Sequence, residues 1–383
     1  MASSTAPAVR DARRAENRAR RAAAAASAEP SYRAFAVTVG RVERLSPSFA
    51  RVTFVGEDLA GFGREGLDQR IKIVLPDAAG RAPRLDDFTG DWYQVWREQP
   101  EAERHPFRTY SIRALRGEGA ATELDVDFVL HGTGPTAGPA SRWVANAQVG
   151  DRVVISGPNA AYDGPPVGLE FDPPAAAARV ILAGDETAVP AVCAILEQLP
   201  AGTDVDAFLE VPTPADALDV DLPLGARLTW LPRTPGPARD GGPAAGSGTA
   251  TVQTHDDAPR PRGELLDAAV RTCMAERENA CVACALGHSC AVAHNRLPDD
   301  VDDIDVDTTI LWDTPGMRAL AGVAGAEPAQ EAEPVRGSAS CYAWIAGEAA
   351  IVRDLRRHLV RDLGIDRRWV AFMGYWRRGK AEG

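Results

Sequence analysis

The stretch RTYSIR at residues 108–113 carries two cations, a phenol and two hydroxyl groups on six residues that favour a β-strand. Because side chains alternate between the two faces of a strand, Arg108 and Tyr110 share one face. Thr109 and Ser111 share the other face. A cation beside an aromatic ring suits a flat cofactor that bears phosphates, as a flavin dinucleotide does. An edge strand with alternating polar residues is the competing interpretation, and the rest of the chain has to decide between the two.

Length and composition set the frame for that decision. The chain has 383 residues, of which 45% are apolar and 25% charged, as expected for a globular protein of two domains. A formal net charge of -12 argues against nucleic acid as a partner. The sequence contains no run of about twenty apolar residues, which an integral membrane segment would require. Its six cysteines do not form the pattern of a secreted disulfide framework. We therefore expect a monomeric protein of the cytoplasm.

The first 31 residues differ from the rest in composition. They are rich in alanine and arginine, with a few interspersed acids, and they lack the apolar core of a secretory signal. This composition predicts a disordered or helical tail over residues 1–31. A transit peptide is the alternative, because such peptides share the arginine-rich composition.

Short runs of alternating apolar and polar residues follow the tail, each bounded by Gly, Pro, Ser or Asp. Several such runs precede the first convincing helix, which predicts antiparallel strands. We expect these strands to form a small closed barrel over residues 32–160. The runs that support the barrel are residues 34–39, 50–55, 70–76, 124–130 and 152–156.

A glycine-rich segment follows the strand that ends at Leu130. Its glycines would let backbone amides approach a ligand, and Ala140 and Ser141 stand where a helix could begin and offer N–H groups to a phosphate. This pattern favours a pyrophosphate cradle that includes His131 and Gly132. A glycine-rich surface turn is the alternative. We assign His131 to flavin contact rather than to acid or base chemistry.

The second half of the chain alternates strands with helices, which predicts a parallel sheet over residues 161–383. Ligands bind at the carboxyl ends of such strands, where Asp185-Glu186-Thr187 and Gly347-Glu348 fall, so these segments should face one cleft. Capping of the following helix is the alternative role for Asp185 and Glu186. The predicted elements are strands at 180–185, 205–211, 227–231, 341–345 and 369–375 and helices at 186–199, 264–277 and 348–362.

Several motifs taken together resemble one family. RTYSIR, GDRVVISGPN, GDETAVPA, YAWIAGEAAIVRDLRRHLV and the ending DRRWVAFMGYWRRG are similar to the siderophore-interacting proteins, flavoproteins related to ferredoxin-NADP reductases. The resemblance covers residues 32–383 outside an insert at residues 235–338. It implies an antiparallel FAD-binding β barrel followed by an α/β domain whose parallel sheet binds NADH or NADPH. It also implies a ferric siderophore as the substrate.

The resemblance carries over residue by residue. It implies that Arg108 binds the phosphates or the ribityl chain of FAD, that Tyr110 packs on the isoalloxazine and that Ser111 lies near its reactive nitrogen. Trp376 would shield the flavin, although packing alone also explains a tryptophan near a chain end. The flavin site would be completed by Thr109, His131, Gly132, Ala140 and Ser141, and the nicotinamide nucleotide would be bordered by Asp185, Glu186, Thr187, Gly347 and Glu348.

The implied activity is electron transfer from NADH or NADPH through FAD to Fe(III) held by a siderophore, with release of Fe(II) for iron assimilation. The flavin carries this chemistry, so no catalytic acid or base is assigned. Siderophores are often anionic, and we expect a basic substrate pocket of Lys72, Arg367, Arg368 and Arg377. A solvated lysine on an exposed face is the alternative for Lys72.

Two other functions fit the same resemblance. One is a flavin-dependent reductase that feeds a protein electron acceptor, and the other is a siderophore-binding protein with little turnover. The choice between NADH and NADPH also stays open. Residues 210–213 include no arginine for a 2′-phosphate, whereas Arg233 could reach one.

The insert departs from the family pattern. It opens with a linker rich in Pro, Gly and Ala at residues 235–261, which we expect to be disordered. Further on, Cys281 and Cys284 have the spacing of a metal chelate, and Cys273, Cys290 and nearby histidines could complete a zinc or iron-sulfur site. The spacing matches no standard cluster, so we assign no metal ligand.

Overall fold

The computed structural model contains two seven-stranded sheets. It describes residues 29–88, 92–100, 103–130, 138–175, 177–238, 242–255, 258–284, 312–314 and 341–379. Within these ranges, the backbone alone is described at residues 277–284, 313 and 368. The tail predicted for residues 1–31 therefore lies almost wholly outside the described residues.

The first sheet is antiparallel throughout. Its strands are β1 Tyr32–Arg44, β2 Phe49–Val55, β3 Arg70–Val74, β4 Phe107–Ser111, β5 Ala114–Arg116, β6 Glu123–Val129 and β7 Arg152–Pro158. They lie in the order β4-β3-β7-β1-β2-β6-β5. Residues 108–111 of RTYSIR lie in β4, so the stretch forms a strand as expected, and this strand lies at an edge of the sheet.

This sheet curls into a half-barrel because its two edge strands are consecutive in the chain. Ile112 and Arg113 alone separate β4 from β5. The N–H of Ile112 donates to the carbonyl oxygen of Gln69 beside β3, and that of Arg113 donates to Asp125 on β6, both at 2.9 Å. The chain thus crosses from one edge of the sheet to the other here. The expected barrel closes through these two residues and not through a hydrogen-bonded ladder between its edge strands. The core of the half-barrel includes Phe35, Phe54, Ile71, Phe128 and Ile155.

The second sheet is parallel except for one short edge strand. Its strands are β8 Arg179–Gly184, β9 Val205–Val211, β10 Ala226–Pro232, β11 Thr249–Val252, β12 Trp312–Asp313, β13 Cys341–Glu348 and β14 Val370–Trp376. Their order is β11-β10-β9-β8-β13-β14-β12, and only β12 runs antiparallel to its neighbour. The predicted fold class, an antiparallel barrel followed by a parallel-sheet α/β domain, is confirmed.

The structure describes five α-helices, and the last three of them cover the two faces of the second sheet. The α-helices are α1 Trp92–Glu98, α2 Pro139–Asn146, α3 Val189–Gln198, α4 Glu264–Cys284 and α5 Ala349–Arg356, the last continuing as a π-helical turn over Arg357–Asp362. Side chains of α3 pack with Leu182 of β8, whereas side chains of α4 and α5 pack with Ile181, because successive strand residues face opposite ways. Among the described residues, no helix is both long and apolar enough to cross a membrane.

Two predicted elements need correction. The linker at residues 235–261, expected to be disordered, contains β11, whose residues pair in parallel with β10 from Arg227 to Trp230. Its alternating Thr249-Ala250-Thr251-Val252 was hidden by the surrounding Pro and Gly. The helix expected from Glu186 begins three residues later at Val189, because a turn joins the Ala188 N–H to the Asp185 carbonyl oxygen at 2.9 Å.

Polar contacts join the two halves. The buried carboxylate of Asp68, which precedes β3, accepts hydrogen bonds from Trp344 Nε1 on β13 at 2.9 Å and from the backbone N–H groups of Glu170 and Phe171. At another point of the junction, Arg113 forms a two-pronged ion pair with Glu197 of α3 at 2.5 and 2.6 Å. These contacts fix the half-barrel against the parallel sheet.

Substitution of Asp68 by Asn should change how stability depends on pH. Burial raises the pKa of the Asp68 carboxyl from 3.8 to about 6, so the folded state favours the protonated form and this contribution to stability is lost as pH rises through 6. The free energy of unfolding of the native protein should fall by up to about 3 kcal/mol relative to D68N between pH 4 and pH 7. Urea titrations at each pH measure it. A constant difference between the proteins would contradict the assignment.

Candidate functional site

The register between β3 and β4 decides which way the RTYSIR side chains point. Tyr110 lies opposite Ile71, a residue of the barrel core, so Tyr110 and Arg108 lie on the side of the core. Thr109 lies opposite Lys72 and points to the other face. Ser111 shares that face. The alternation expected from the sequence is present.

An aromatic path connects β4 with helix α2. The Tyr110 ring lies 4.4 Å from that of Phe128, which in turn lies 5.7 Å from Trp143 of α2. The first turn of α2 is also tied to β6, since the Ser141 hydroxyl donates to the Val129 carbonyl oxygen at 3.4 Å. RTYSIR and the start of α2 are therefore brought together through β6.

The start of α2 has the features of an anion site. Gly138 stands at its N-cap without a capping side chain, and Pro139 occupies the first turn. Among the described residues, none has an atom within 4 Å of a Cβ added at Gly138. The positive end of the helix dipole favours phosphate there. Together with the Tyr110 ring and the Arg108 guanidinium, this fits a flavin dinucleotide; His131 and Gly132 lie outside the described residues.

The residues of the predicted basic pocket come from both sheets. Lys72 lies on β3 with its Nζ 3.3 Å from the Thr109 hydroxyl and 4.8 Å from the Phe107 ring centroid, beside RTYSIR as expected. Arg367 precedes β14 and Arg377 follows it. The seven residues of β14 separate the backbones of these two arginines by about 20 Å, and their contact with a substrate stays a prediction. The side chain of Arg368 lies outside the described part.

Asp185 organises the carboxyl ends of the parallel strands. Its carboxylate is buried and accepts hydrogen bonds from the Thr187 N–H at 2.9 Å, the Glu348 N–H at 2.9 Å and Trp376 Nε1 at 2.8 Å. Burial raises the pKa of Asp185, against the effect of these donors. The segments predicted to face one cleft are therefore brought together by one side chain. Neither Asp185 nor Glu186 caps α3, whose N-cap is Ala188.

Gly347 is needed for this arrangement. Its φ of +146° lies outside the range that other residues adopt, and a Cβ there would lie 2.9 Å from the Asp185 carboxyl carbon. Glu348 is the N-cap of α5, and its carboxylate accepts hydrogen bonds from the N–H groups of Ala350 and Ile351. The carboxylate predicted to border the nucleotide thus also caps a helix.

Glu186 is held by two arginines. Arg233 donates to it at 2.8 and 3.2 Å, and Arg262 makes a second, shorter contact. Burial alone would raise the pKa of Glu186, but the hydrogen bonds from Arg262 and Arg233 outweigh burial and hold the pKa at about 2. Arg233 also contacts buried Glu210 at 3.2 Å. Arg233 thus pairs with two carboxylates, which argues against its binding the 2′-phosphate of NADPH.

Sequence reasoning missed Arg262. Its guanidinium carbon lies 4.9 Å from the ring centroid of Trp376 while its Nη1 binds Glu186, so it connects two predicted site residues. The residue stands directly before Gly263 and α4, where the sequence shows only a Pro-Arg-Gly turn. Contact of Glu186, Thr187 and Trp376 with cofactor stays a prediction.

The cysteine-rich insert yields no described metal site. In the part of the chain that the structure describes, no group of three or more His, Cys, Asp or Glu side chains could hold a metal ion. Cys273 packs against the sheet, with its Sγ 3.5 Å from the Arg179 guanidinium. The side chains of Cys281 and Cys284, and all of Cys290, lie outside that part.

A flavin site on a half-barrel beside the carboxyl edge of a parallel sheet defines a two-domain flavoprotein of the ferredoxin-reductase type. Residues 38–162 match the model of the siderophore-interacting FAD-binding domain, and residues 177–379 match that of the siderophore-interacting protein. The chain belongs to the siderophore-interacting protein family. The prediction of FAD as cofactor is confirmed by the first match.

Individual relatives agree with this assignment. Ferric vibriobactin reductase ViuB of Vibrio cholerae is 36% identical over 199 residues, covering 52% of this chain and 66% of that protein. The uncharacterized protein Rv2895c of Mycobacterium tuberculosis is 29% identical over 358 residues, 91% of each chain. A solved siderophore utilization protein from T. fusca superimposes with a TM-score of 0.55 at 25% identity, covering 93% of this chain and 97% of that one.

Removal of the Arg108 side chain should prevent flavin retention. Arg108→Ala deletes a cation from the face of β4 that also carries Tyr110, and loss of a charged hydrogen bond to phosphate weakens binding by about tenfold or more. FAD content after purification, measured from the visible absorption per protein, should fall close to zero. Arg152→Ala, which removes an exposed arginine from β7, is the matched control. Full flavin content in R108A would refute this assignment.

Gly347→Ala should destabilise the protein more than an alanine at an unobstructed glycine. It adds both backbone strain and a clash with Asp185, so we expect a loss of about 3 kcal/mol in the free energy of unfolding. Gly364→Ala is the control, because Gly364 has a φ of +67° and no described residue has an atom within 4 Å of an added Cβ. It should cost about 1 kcal/mol. Equal losses in urea titrations would show that contact with Asp185 does not matter.

Proposed function

We propose that this protein is an FAD-dependent reductase that transfers electrons from NADH or NADPH to Fe(III) held by a siderophore. The observation that carries the proposal is the meeting of its two sites. The guanidinium of Arg70, which lies opposite Ser111 of the flavin motif, packs on the indole of Trp312, and that indole stacks on Tyr375. The next residue, Trp376, donates to Asp185 at the carboxyl edge of the parallel sheet. A flavin edge and a nicotinamide could therefore be held in contact across this junction.

The flavin half of the site would bind and orient its cofactor. Tyr110 offers a ring face at the rim of the half-barrel core, while Arg108 and the start of α2 supply positive charge for the pyrophosphate. The Ser111 hydroxyl stands at the end of β4 that faces the second sheet. Thr109 and Lys72 lie next to it on the same face of the sheet.

The nucleotide half would supply a rigid wall. Asp185 fixes Trp376, Thr187 and the start of α5, and the Glu186 carboxylate is neutralised by Arg233 and Arg262. These carboxylates are buried, so the parts that could meet a nucleotide are the backbone and side chains they position. No general acid or base is needed, because hydride and electron transfer do not require one.

FAD, when bound, supplies the chemistry that accepts a hydride from the nicotinamide and gives electrons one at a time to ferric iron. Reduction lowers the charge on the metal and so weakens its hold on hard oxygen donors. Fe(II) then leaves the siderophore. Lys72 would attract an anionic complex to the face of the half-barrel against the net charge of -12.

The visible absorption spectrum of the purified protein tests the proposal. We expect a flavin spectrum that bleaches on addition of NADH or NADPH without oxygen and returns when a ferric siderophore is added. A ferrous chelator in the same cuvette should report Fe(II). Reoxidation only by an added redox protein would favour the protein-acceptor alternative, and a ferric siderophore that binds without recolouring the flavin would favour the binding protein. A protein that takes up no FAD would refute the proposal.

A further inference from the structure

The connector between the two sheets, residues 159–178, is held by both of them. On the side of the half-barrel, the Arg70 N–H donates to the Gly168 carbonyl oxygen at 2.9 Å. On the side of the second sheet, the Tyr342 hydroxyl of β13 donates to the Glu170 carbonyl oxygen at 3.1 Å. The connector therefore lies between the two domains in space as well as in sequence.

The insert makes a further set of contacts with this connector. The buried Glu170 carboxylate accepts hydrogen bonds from Trp312 Nε1 at 3.1 Å and from the Thr314 hydroxyl, and both donors belong to the insert. The same carboxylate accepts a hydrogen bond from the Arg70 guanidinium of β3 at 2.6 Å. One side chain of the connector is thus shared between the half-barrel and the insert.

The Trp312 ring extends this arrangement to the second sheet. The guanidinium carbon of Arg70 lies 4.4 Å from the centroid of the indole, so a cation–π contact accompanies the shared carboxylate. The indole also stacks on Tyr375 of β14, with centroids 5.8 Å apart and planes at 20°. Trp312 therefore contacts the half-barrel, the connector and the second sheet.

The backbone of β12 contributes little to its own attachment. The strand has two residues, of which Trp312 pairs with Met373 and Asp313 pairs with Phe372 of β14. Strands in globular proteins are usually longer, and a two-residue strand forms few ladder hydrogen bonds. The side chains of Trp312 and Thr314 therefore supply much of what fixes β12, and they do so at the domain junction.

We propose that β12 and Thr314 form an interdomain clamp, through which the insert holds the half-barrel and the second sheet in one relative orientation. The buried Glu170 carboxylate must keep its donors, because an unpaired charge away from water is costly. Separation of the domains would take donors from Glu170, whichever domain the connector follows. The insert thereby makes opening of the junction less favourable. The inference does not depend on the proposed function, because it rests on contacts between residues of this chain.

Hydrogen exchange of the full chain, measured by mass spectrometry at neutral pH, tests the interdomain clamp. Trp312→Ala should speed exchange of the backbone amides about tenfold in β3 and β4 of the half-barrel as well as in β14. Trp312→Phe keeps a ring but loses the hydrogen bond to Glu170, so it should speed exchange in the same strands by a smaller factor. This variant supplies the test if W312A does not fold. Faster exchange confined to the second sheet would overturn the inference.

Val252→Ala is the matched control. Val252 lies on β11, the opposite edge strand of the same sheet, and five strands separate β11 from β12. V252A should speed exchange within the second sheet and leave β3 and β4 unchanged. An equal effect of V252A on β3 and β4 would show that loss of any edge contact opens the junction, and the inference would then be wrong.

A double-mutant cycle between Arg70 and Trp312 gives an independent measurement. The unfolding equilibrium constant from urea titrations is compared for Arg70→Ala, W312A and the double variant. Because the two side chains contact each other and share Glu170, the constant of the double variant should be about tenfold smaller than the product of the two single effects predicts. Single effects that simply multiply would show that β3 and the insert are not coupled, which would overturn the inference.

Discussion

The buried carboxylate of Asp185 is the interaction on which the rest of the site depends. A charge removed from water must be met by donors, and the donors here come from the turn before α3, the start of α5 and the end of β14. Those three segments make up the carboxyl edge of the parallel sheet. Gly347 allows the close approach because any side chain would enter the space of the carboxylate.

A second set of contacts fixes the half-barrel against this edge. Asp68 reaches Trp344 on β13, and Arg113 reaches Glu197 on α3. Ser46 and Ser48 add hydrogen bonds to the buried Asp216. Because these contacts are short and directional, the distance between the flavin motif and the nucleotide edge is set by the junction as a whole. Electron transfer between two bound groups requires such a fixed distance.

The arginines near the site are used mainly to balance buried carboxylates. Arg233 and Arg262 neutralise Glu186, and Arg70 does the same for Glu170. This role differs from the one predicted from sequence alone, because an arginine near a strand end is usually interpreted as a phosphate ligand. Arg233 illustrates the difference, since its guanidinium lies between two acids and not at an open edge.

The sequence by itself determined the order of the elements, the fold class and the family. Periodicity and glycine or proline boundaries are local, so most strands of both sheets and the first residues of helices α3 to α5 could be located to within about three residues. Motifs such as RTYSIR and GDETA can likewise be recognised before the fold is known. Tertiary structure alone decided β11 and β12, because short edge strands are stabilised by their neighbours. It also decided the pairing of Arg262 with Glu186, the stacking of Trp312 on Tyr375 and the positions of Arg367 and Arg377 at opposite ends of β14. Each depends on which distant residues the fold brings together, and no local pattern encodes that.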